Sequence, residues 1–152
     1  MQLDETDLQI LRELQSNARL TTKELASRVH LSTTPVFERV KRLEREGYIS
    51  RYVALLNDRK LGRGFAVFCA LKMNSLSIDI VTSLRNAVAD IPEVVECYNV
   101  SGTSDFMLKV LTPDMDHYRK FVLGMLERIP HIASVESIFV MDELKHDYGV
   151  RI

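Results

Sequence analysis

The sequence predicts an α+β protein in which three helices precede a unit of alternating strands and helices. Two observations lead to this prediction. Between Leu20 and Gly47, two short helices each have their own start signal, and a turn of about three residues separates them. After residue 64, apolar residues recur at strand and helical spacing in the order βαββαβ.

The first helix is predicted over residues 4–16. Asp4 is of a type that caps helix N-termini, because its side chain accepts hydrogen bonds from free backbone N–H groups. The helical period that follows is set by Leu3, Asp7, Ile10, Leu11 and Leu14.

The second helix is predicted to begin after Thr21. The Thr21 hydroxyl can accept from the backbone N–H of Glu24, and the Glu24 carboxylate can reach back to the backbone of Thr21, which makes a reciprocal capping box. Leu20 and Leu25 flank this start as a hydrophobic staple.

The third helix is predicted to start by the same logic at Ser32, with Leu31 and Val36 as the apolar pair. Pro35 falls in the first turn, where a missing N–H costs little. Gly47 ends the helix, because glycine enters the left-handed conformation cheaply. This helix-turn-helix with basic residues on its second member is the arrangement that presents a helix to the DNA major groove.

These patterns predict two domains. A helix-turn-helix (winged-helix-like) domain with a trailing strand spans residues 1–56, because Tyr48–Leu56 is rich in strand-forming residues. Turn-forming residues predict a linker over 57–64, and a second domain spans 65–152. The core of the first domain is predicted as Leu3, Ile10, Leu11, Leu14, Leu25, Ala26, Val29, Val36, Val40 and Leu43.

The second domain is predicted to be ferredoxin-like, with one four-stranded sheet and both helices on one side. Its segments are a strand over Phe65–Met73, a helix over Ile78–Ala89, a hairpin of Val94–Val100 and Asp105–Leu111, a helix opened by Pro113 and Asp114, and a strand over Val135–Met141. The first strand is apolar at both parities, which predicts burial on both faces. We therefore expect a second copy to cover the open sheet face in an obligate homodimer.

Charge is distributed unevenly along the chain. The formal net charge is −1, but residues 19–51 hold eight Lys or Arg against four Glu, whereas residues 61–152 hold nine against twelve acidic residues. A local basic face on a near-neutral protein suits contact with double-stranded DNA through one module.

Other classes of protein fit poorly. No apolar run approaches the roughly 18 residues of a membrane span, and the first residues lack a secretory pattern, so we expect a cytoplasmic, nucleoid-associated protein without a membrane partner. Cys69 and Cys97 form no CxxC pair, which favours buried free thiols. No metal-binding histidine pattern, catalytic set or phosphate loop is present in the sequence, so no metal, cofactor or catalytic residue is predicted.

The predicted DNA-binding surface centres on the third helix. Val36, Val40 and Leu43 point inward at helical spacing, which leaves the opposite face for DNA. Base reading is assigned to the N-terminal residues Ser32, Thr33, Thr34 and Glu38, and phosphate binding to Lys41, Arg42 and Arg45. The predicted set is completed by Thr22, Lys23 and Arg39. The alternative interpretation is an ordinary solvated helix face.

Two side chains on this helix leave alternatives open. Phosphates would repel Glu38, which either accepts a hydrogen bond from cytosine N4 or pairs with Arg42 four residues later. Arg39 points between the two faces, where it either contacts DNA or holds the first helix through a carboxylate.

The segment Gly102-Thr103-Ser104-Asp105 lies at the predicted hairpin tip and also has two interpretations. An Asp carboxylate suits an ammonium group, and exposed turn N–H groups suit a carboxylate, so together they would bind a free amino acid. A plain turn uses Gly and Asp for backbone reasons alone, and the residues by themselves favour the plain turn.

The motifs resemble the Lrp/AsnC family of prokaryotic transcription regulators over essentially the whole chain. The resemblance rests on Leu3-Asp4-x-x-Asp7-x-x-Ile10-Leu11, Leu31-Ser32, Arg39-Val40-Lys41-Arg42-Leu43-Glu44-x-x-Gly47-x-Ile49, Gly102-x-x-Asp105-Phe106-x-Leu108-Lys109-Val110 and Ile129-Pro130. The leucine-responsive branch is matched more closely by Val100-Ser101-Gly102, Pro113-Asp114-Met115 and Tyr118-Arg119-Lys120.

The resemblance implies that dimers assemble into rings such as octamers, and that an amino-acid effector, leucine or another apolar amino acid, binds between dimers. It makes residues 102–105 the GxxD effector loop of the family. The facing segment that it implies contributes Ala133, Ser134, Val135 and Ser137, of which the last three are the predicted effector-binding residues. His131 stands where the family usually has glycine, Val135 where threonine is frequent, and Glu38 at a usually basic or neutral position.

The predicted function is therefore sequence-specific transcription regulation modulated by an amino acid. A rival from another class is an enzyme, because a tetrapyrrole decarboxylase group resembles this two-domain plan. Such an enzyme would need His or Arg side chains around a large pocket, whereas the basic residues here concentrate on the helix pair. A third possibility is an amino-acid-binding module that acts through protein partners.

Overall fold

The computed structural model describes residues 2–152, and within them it has five helices and four strands. They run in the order α1 (Glu5–Ser16), α2 (Thr22–Arg28), α3 (Thr33–Arg45), β1 (Phe65–Met73), α4 (Ile78–Ala89), β2 (Val94–Asn99), β3 (Phe106–Thr112), α5 (Met115–Arg128) and β4 (Ile132–Phe139). The α+β class agrees with the sequence prediction, and so does the order of elements apart from the strand predicted after α3; the predicted bounds of β1 and α4 are those observed.

The chain divides into two compact units. The first unit contains the described residues up to Leu55 together with a C-terminal tail, Lys145–Ile152, and the second unit is Leu56–Leu144. The tail therefore lies outside the second unit, although the predicted second domain, 65–152, includes it, since nothing in its residues indicates a return to the helices.

Hydrogen bonds attach the C-terminal tail to α1. The Gln15 side chain donates to the Val150 carbonyl at 2.8 Å and accepts from the Val150 N–H at 3.1 Å. Arg12 Nε donates to the Ile152 carbonyl at 2.7 Å. A Cβ at Gly149 would lie 2.7 Å from the Gln15 amide nitrogen, so glycine permits this close approach.

The predicted Asp4 cap of α1 and the predicted capping box of α2 are both formed, and α1 has a capping box as well. The Asp4 carboxylate accepts from the backbone N–H of Asp7 at 2.8 Å, and the Thr21 hydroxyl accepts from that of Glu24 at 3.2 Å. The Glu24 carboxylate accepts in turn from the Thr21 N–H at 2.7 Å. These caps use backbone donors that a helix cannot satisfy internally.

The start of α3 differs from the prediction. Ser32 occupies the N-cap position, but its side chain makes no capping hydrogen bond. The third helical residue is Pro35, whose nitrogen has no hydrogen to donate, so the usual partner of the cap is missing. At the other end, Gly47 takes a φ of +79° and ends the helix as predicted.

The core of the first unit follows the predicted apolar stripe. Its buried members are Ile10, Leu25, Ala26, Val29, Val36 and Leu43, and its half-buried members are Leu3, Leu11, Leu14, Leu20, Val40 and Ile49. Leu20 and Ile49 were not among the predicted core residues, and the other ten were.

No strand is formed over residues 48–56, although the sequence predicts a trailing strand there. Tyr52, Val53 and Leu55 have strand propensity but remain exposed. Strand propensity reflects packing against neighbouring strands, and within the described first unit there is no strand for this segment to join.

The second unit has one antiparallel sheet of order β2-β3-β1-β4, with β1 and β3 at its centre. One face packs against α4 and α5 through a core of Val67, Leu71, Leu84, Leu108, Val110, Tyr118 and Met125. Register places the other set of side chains on the opposite face, called here the open sheet face: Ala66, Phe68, Ala70, Lys72, Met107, Lys109, Leu111, Ser134, Glu136 and Ile138.

The two cysteines differ in exposure. Cys69 in the central strand β1 is buried, as predicted, and burial raises the pKa of its thiol. Cys97 is exposed, which contradicts the prediction, because it lies on β2 at the edge of the sheet. Both thiols are free.

Candidate nucleic-acid interface and ligand loop

The helix α3 turns a polar face toward solvent. Val36 and Leu43 are fully buried beneath it, and Val40 is half-buried. The exposed side chains on or next to α3 include Ser32, Thr33, Thr34, Phe37, Glu38, Lys41 and Arg45. The hydroxyl groups therefore lie toward the N-terminal end and the positive charge toward the C-terminal end of one exposed surface, as the spacing predicts.

A buried carboxylate joins this helix to α1. Asp7 is 1% exposed, and its carboxylate accepts from Arg42 Nη2 at 2.6 and 2.7 Å. Arg39 Nη1 donates to Asp7 at 2.7 Å and to Asp4 at 2.7 Å. We refer to Asp4, Asp7, Arg39 and Arg42 as the charge clamp.

The charge clamp shows Arg39 in contact with the first helix, as one of its two interpretations expects, and shows that Arg42 pairs with Asp7 rather than with Glu38. Arg39 holds the first helix through carboxylates, which raises its own pKa through the hydrogen bonds with Asp4 and Asp7. Arg42 pairs with Asp7, and Glu38 forms no ion pair within residues 2–152. The Arg42 guanidinium therefore contacts α1. The spacing of residues along α3 alone does not reveal this contact.

Lys41 has partners on its own helix. Its ammonium lies 3.0 Å from Glu44 and 5.8 Å from the ring centroid of Phe37. Glu44 also accepts from the Tyr52 hydroxyl at 3.0 Å, and partial desolvation of this largely exposed side chain together with that bond raises the pKa of Tyr52 to about 12. The Lys41–Glu44 pair is exposed and therefore weak, so Lys41 can exchange it for a phosphate.

The turn between α2 and α3 fixes how the helix pair is joined. His30 has a φ of +55°, and the Leu31 N–H donates to the Ala26 carbonyl at 3.0 Å, so a free carbonyl at the end of α2 gains a hydrogen bond.

The predicted DNA-binding residues Thr22 and Lys23 lie in the first turn of α2, where Thr22 is half-buried and Lys23 is exposed.

A second candidate site is the loop between β2 and β3. Gly102 is exposed with a φ of +117°, a conformation that favours glycine, and Thr103 beside it is also exposed. Ser104 and Asp105 are half-buried. The loop is closed by the Val100 N–H, which donates to the Asp105 carbonyl at 2.9 Å.

Asp105 already has two partners in the sheet. Its carboxylate accepts from the Met73 N–H at 2.8 Å and from Lys72 Nζ at 3.0 Å. The hydrogen bond from Met73, followed by that from Lys72, lowers the pKa of Asp105. The carboxylate is therefore a charged acceptor positioned at the end of β1.

The predicted facing residues are divided between the two faces of the sheet. Ser134 lies opposite Lys72 on the open sheet face. Val135 packs on the helix-covered core, and Ser137 lies 2.6 Å from the Tyr118 hydroxyl on that same side. Ser134 therefore shares a face with Lys72, while Val135 and Ser137 belong to the core side.

Lys72 was not among the predicted effector-binding residues. It is the single charged residue in the strand Phe65–Met73, and it pairs with Asp105 across the sheet. A lone charge at the end of an apolar strand is a signal that could have identified it, since such a charge needs a partner or solvent.

His131 has a φ of +69°, which explains why a glycine suits this position. Its carbonyl accepts from the Asn74 N–H at 2.8 Å, just beyond the point where β1 and β4 change register. The strained residue thus helps to join the two strand ends beside Ser134.

The described residues show neither a metal cluster nor a membrane span. Within residues 2–152, no three His, Cys, Asp or Glu side chains are grouped closely enough to hold a metal ion. Over the same range, no helix is both long and apolar enough to cross a membrane.

Comparison with known proteins gives two domain matches. Residues 3–50 match a winged helix-turn-helix DNA-binding domain, and residues 66–150 match the Lrp/AsnC ligand binding domain. The leucine-responsive regulatory protein of Escherichia coli is 42% identical over 143 residues, which cover 94% of this chain and 87% of that protein. The protein of the same name from Klebsiella pneumoniae has the same identity and coverage.

Solved structures extend the likeness to three dimensions. An AsnC family transcriptional regulator from Agrobacterium tumefaciens is 37% identical with a TM-score of 0.93, covering 98% of this chain and 97% of that one. A transcriptional regulator from Neisseria meningitidis in complex with L-Met is 34% identical, also with a TM-score of 0.93, covering 99% and 97%. These relatives are transcription regulators rather than enzymes.

Proposed function

The chain belongs to the Lrp/AsnC family of transcription regulators, and from this membership we propose which of its residues bind DNA and which bind the effector. It is a DNA-binding transcriptional regulator with an amino-acid-binding domain. The exposed face of α3 enters the major groove, with Thr33, Thr34 and Glu38 toward the bases. Lys41 and Arg45 contact phosphates.

The observation that supports the assignment of α3 as the DNA-contacting helix is the charge clamp. Arg39 and Arg42 form ion pairs with Asp4 and Asp7, and these pairs fix the position of α3 against α1. We assign Arg39 and Arg42 to positioning of α3 rather than to direct DNA contact. Ser32, Thr22 and Lys23 lie at or near helix N-termini, where backbone N–H groups favour phosphate oxygens.

The effector proposed is an apolar amino acid, such as leucine or methionine. Support comes from the similarity to regulators named for leucine and to one solved with L-Met. In the loop Gly102–Asp105, turn N–H groups would receive the ligand carboxylate and Asp105 its ammonium. The incoming ammonium would take the place of the Lys72 ion pair at 3.0 Å. Ser134, opposite Lys72, is the facing residue best placed to assist.

The assembly proposed is a homodimer that forms octamers or similar rings in the cytoplasm. The open sheet face carries Phe68, Met107, Leu111 and Ile138 and would lose contact with water in a sheet-to-sheet dimer. Amino-acid binding would then act by favouring one assembly state over another.

A binding experiment tests the DNA assignment. Fluorescence anisotropy on a selected DNA fragment should show a tenfold or larger loss of affinity for K41Q/R45Q at 0.1 M salt. R85Q, a change of an exposed charge on α4, is the matched control. Equal affinity of K41Q/R45Q and the unmodified protein would reject this face of α3 as the DNA contact.

A separate experiment tests the effector site. Calorimetry with leucine and methionine should give binding to the unmodified protein and none to D105A, while analytical ultracentrifugation reports the oligomer size in parallel. R119Q on α5 is the control. A persistent amino-acid response in D105A would place the effector elsewhere, and a monomer at micromolar concentration would reject the proposed assembly.

A further inference from the structure

The second unit contains a cavity of about 400 Å³ that the proposed function does not use. Its walls come from α5, from the end of β3 and from the residues just before β2. A volume of this size suits a small metabolite, since ligand sites in proteins are usually of this order. Gly124 faces it, and a Cβ at that position would meet no atom within 4 Å, so the space is open.

Positive charge predominates in the lining of this cavity. Arg63, Lys120 and Arg128 all line it, and none of them forms an ion pair with any residue in the range 2–152. Among the described lining residues, Glu93 is the single carboxylate, and His117 is held by Asp114 at 2.8 Å. The positive charge therefore exceeds the negative charge around the cavity.

The same cavity has an apolar side. Ile91 and Met125 are buried beneath it, and Phe121 is half-buried. Cations beside apolar side chains match a ligand that carries both an anionic and an apolar group, because each part then finds its complement.

This cavity is remote from the ligand loop along the sheet. The loop Gly102–Asp105 precedes β3, whereas Thr112 and Pro113, at the far end of β3, line the cavity. A strand of seven residues spans roughly 20 Å. The two sites also have no lining residue in common.

We propose that the cavity between α5 and the end of β3 is a second small-molecule site for an organic anion, bound through Arg63, Lys120 and Arg128. The ligand class is an apolar group that bears a carboxylate or a phosphate monoester. Arg63 lies just before β1 in the predicted linker, so the ligand would also order the end of that segment.

Calorimetry on the full chain tests this site with three probes of similar shape: phenyl phosphate, phenylacetate and benzyl alcohol. Both anions are expected to bind at least tenfold more tightly than the neutral alcohol. The tighter of the two anions then identifies whether phosphate or carboxylate is preferred. K120Q/R128Q should weaken anion binding at least tenfold, and R119Q, a neighbouring cation outside the cavity, should not.

Two further variants separate this proposal from the others. D105N and K41Q/R45Q should retain anion binding, because they alter the ligand loop and the DNA-binding face. Retained anion affinity in K120Q/R128Q, equal affinity for benzyl alcohol, or the absence of binding at millimolar probe would overturn the proposal. Should K120Q/R128Q fail to fold, R63Q supplies the same test from outside any helix or strand.

Discussion

Asp7 on α1 and Arg42 on α3 form a two-point contact, in which Arg42 Nη2 donates to both oxygens of the carboxylate at 2.6 and 2.7 Å. Asp7 is almost fully buried, whereas the Arg42 side chain is 30% exposed. The pair attaches α3, which has an exposed polar face, to α1. This attachment is strong only while both partners remain charged.

Removal of the Asp7 charge should destabilise the first unit. D7N leaves Arg39 and Arg42 without their shared carboxylate, at a cost of about 3 kcal/mol in the free energy of unfolding. Hydrogen exchange of α3 amides in the full chain measures this loss. E5Q, which breaks an exposed pair with Arg12, should change stability by less than about 1 kcal/mol. Equal protection of α3 in D7N and the unmodified protein would refute the clamp.

DNA binding should depend on salt through Lys41 and Arg45. Neutralising one phosphate-binding cation should reduce the slope of log affinity against log salt by about one unit. Titrations of K41Q/R45Q between 0.05 and about 0.3 M salt measure the slope. T34A should instead change the preference among sequences at an unchanged slope, and a uniform loss over all sequences would contradict its assignment to base reading.

Two histidines have left-handed backbone conformations that glycine adopts more easily. H30G and H131G should each stabilise the chain by about 1 kcal/mol, because the steric cost of a Cβ at φ of +55° or +69° is removed. Thermal unfolding measures the gain. H131A is the matched control, since alanine retains the Cβ and should give no such increase. A gain of the same size in H131A would show that the imidazole, and not the backbone, is responsible.

Asp105 should contribute to the loss of folding stability at low pH. Hydrogen bonds from Met73 and Lys72 hold its folded pKa below the unfolded value. Its contribution is therefore present above about pH 4 and disappears as the pH falls through the folded pKa. Urea midpoints between pH 2 and about 6 should fall less steeply for D105N than for the unmodified protein. D142N, which changes an exposed carboxylate, is the control and should leave the pH dependence of the urea midpoint unchanged.

The contact between the C-terminal tail and α1 should slow hydrogen exchange at the Val150 amide. Q15A removes both hydrogen bonds to the Val150 backbone, which should cost about 1 kcal/mol. The exchange rate of the Val150 amide hydrogen measures this directly. Q2A serves as the control, and an unprotected Val150 amide in the unmodified protein would contradict the attachment.

Local signals predicted most of the fold, since capping residues and apolar periodicity act over three or four positions. Thr21 and Glu24 or the stripe through Ile10 can be recognised without knowledge of the rest of the chain. Arg42 could not be assigned in this way, because its partner lies 35 residues away on another helix. Asp7, an acid on an apolar stripe, was the available signal that a cation would be needed there.

Other features depended on neighbours that the sequence does not specify. Tyr52 and Val53 favour a strand, but no adjacent strand accepts them within the described residues of the first unit. Cysteine is common in protein cores, yet Cys97 is exposed because it lies on the edge strand of the sheet. The division of Ser134 from Val135 and Ser137 follows from the register of β4 against β1, which spacing within one strand does not fix.

The attachment of the last residues to α1 has a consequence for the order of events during synthesis. Helices α1–α3 leave the ribosome first and can pack at once, since their core lies within the first 49 residues. The hydrogen bonds between Gln15 and Val150 must wait until residues 145–152 have been synthesised. The nascent chain therefore completes its first unit last, after all of β1–β4 has been made.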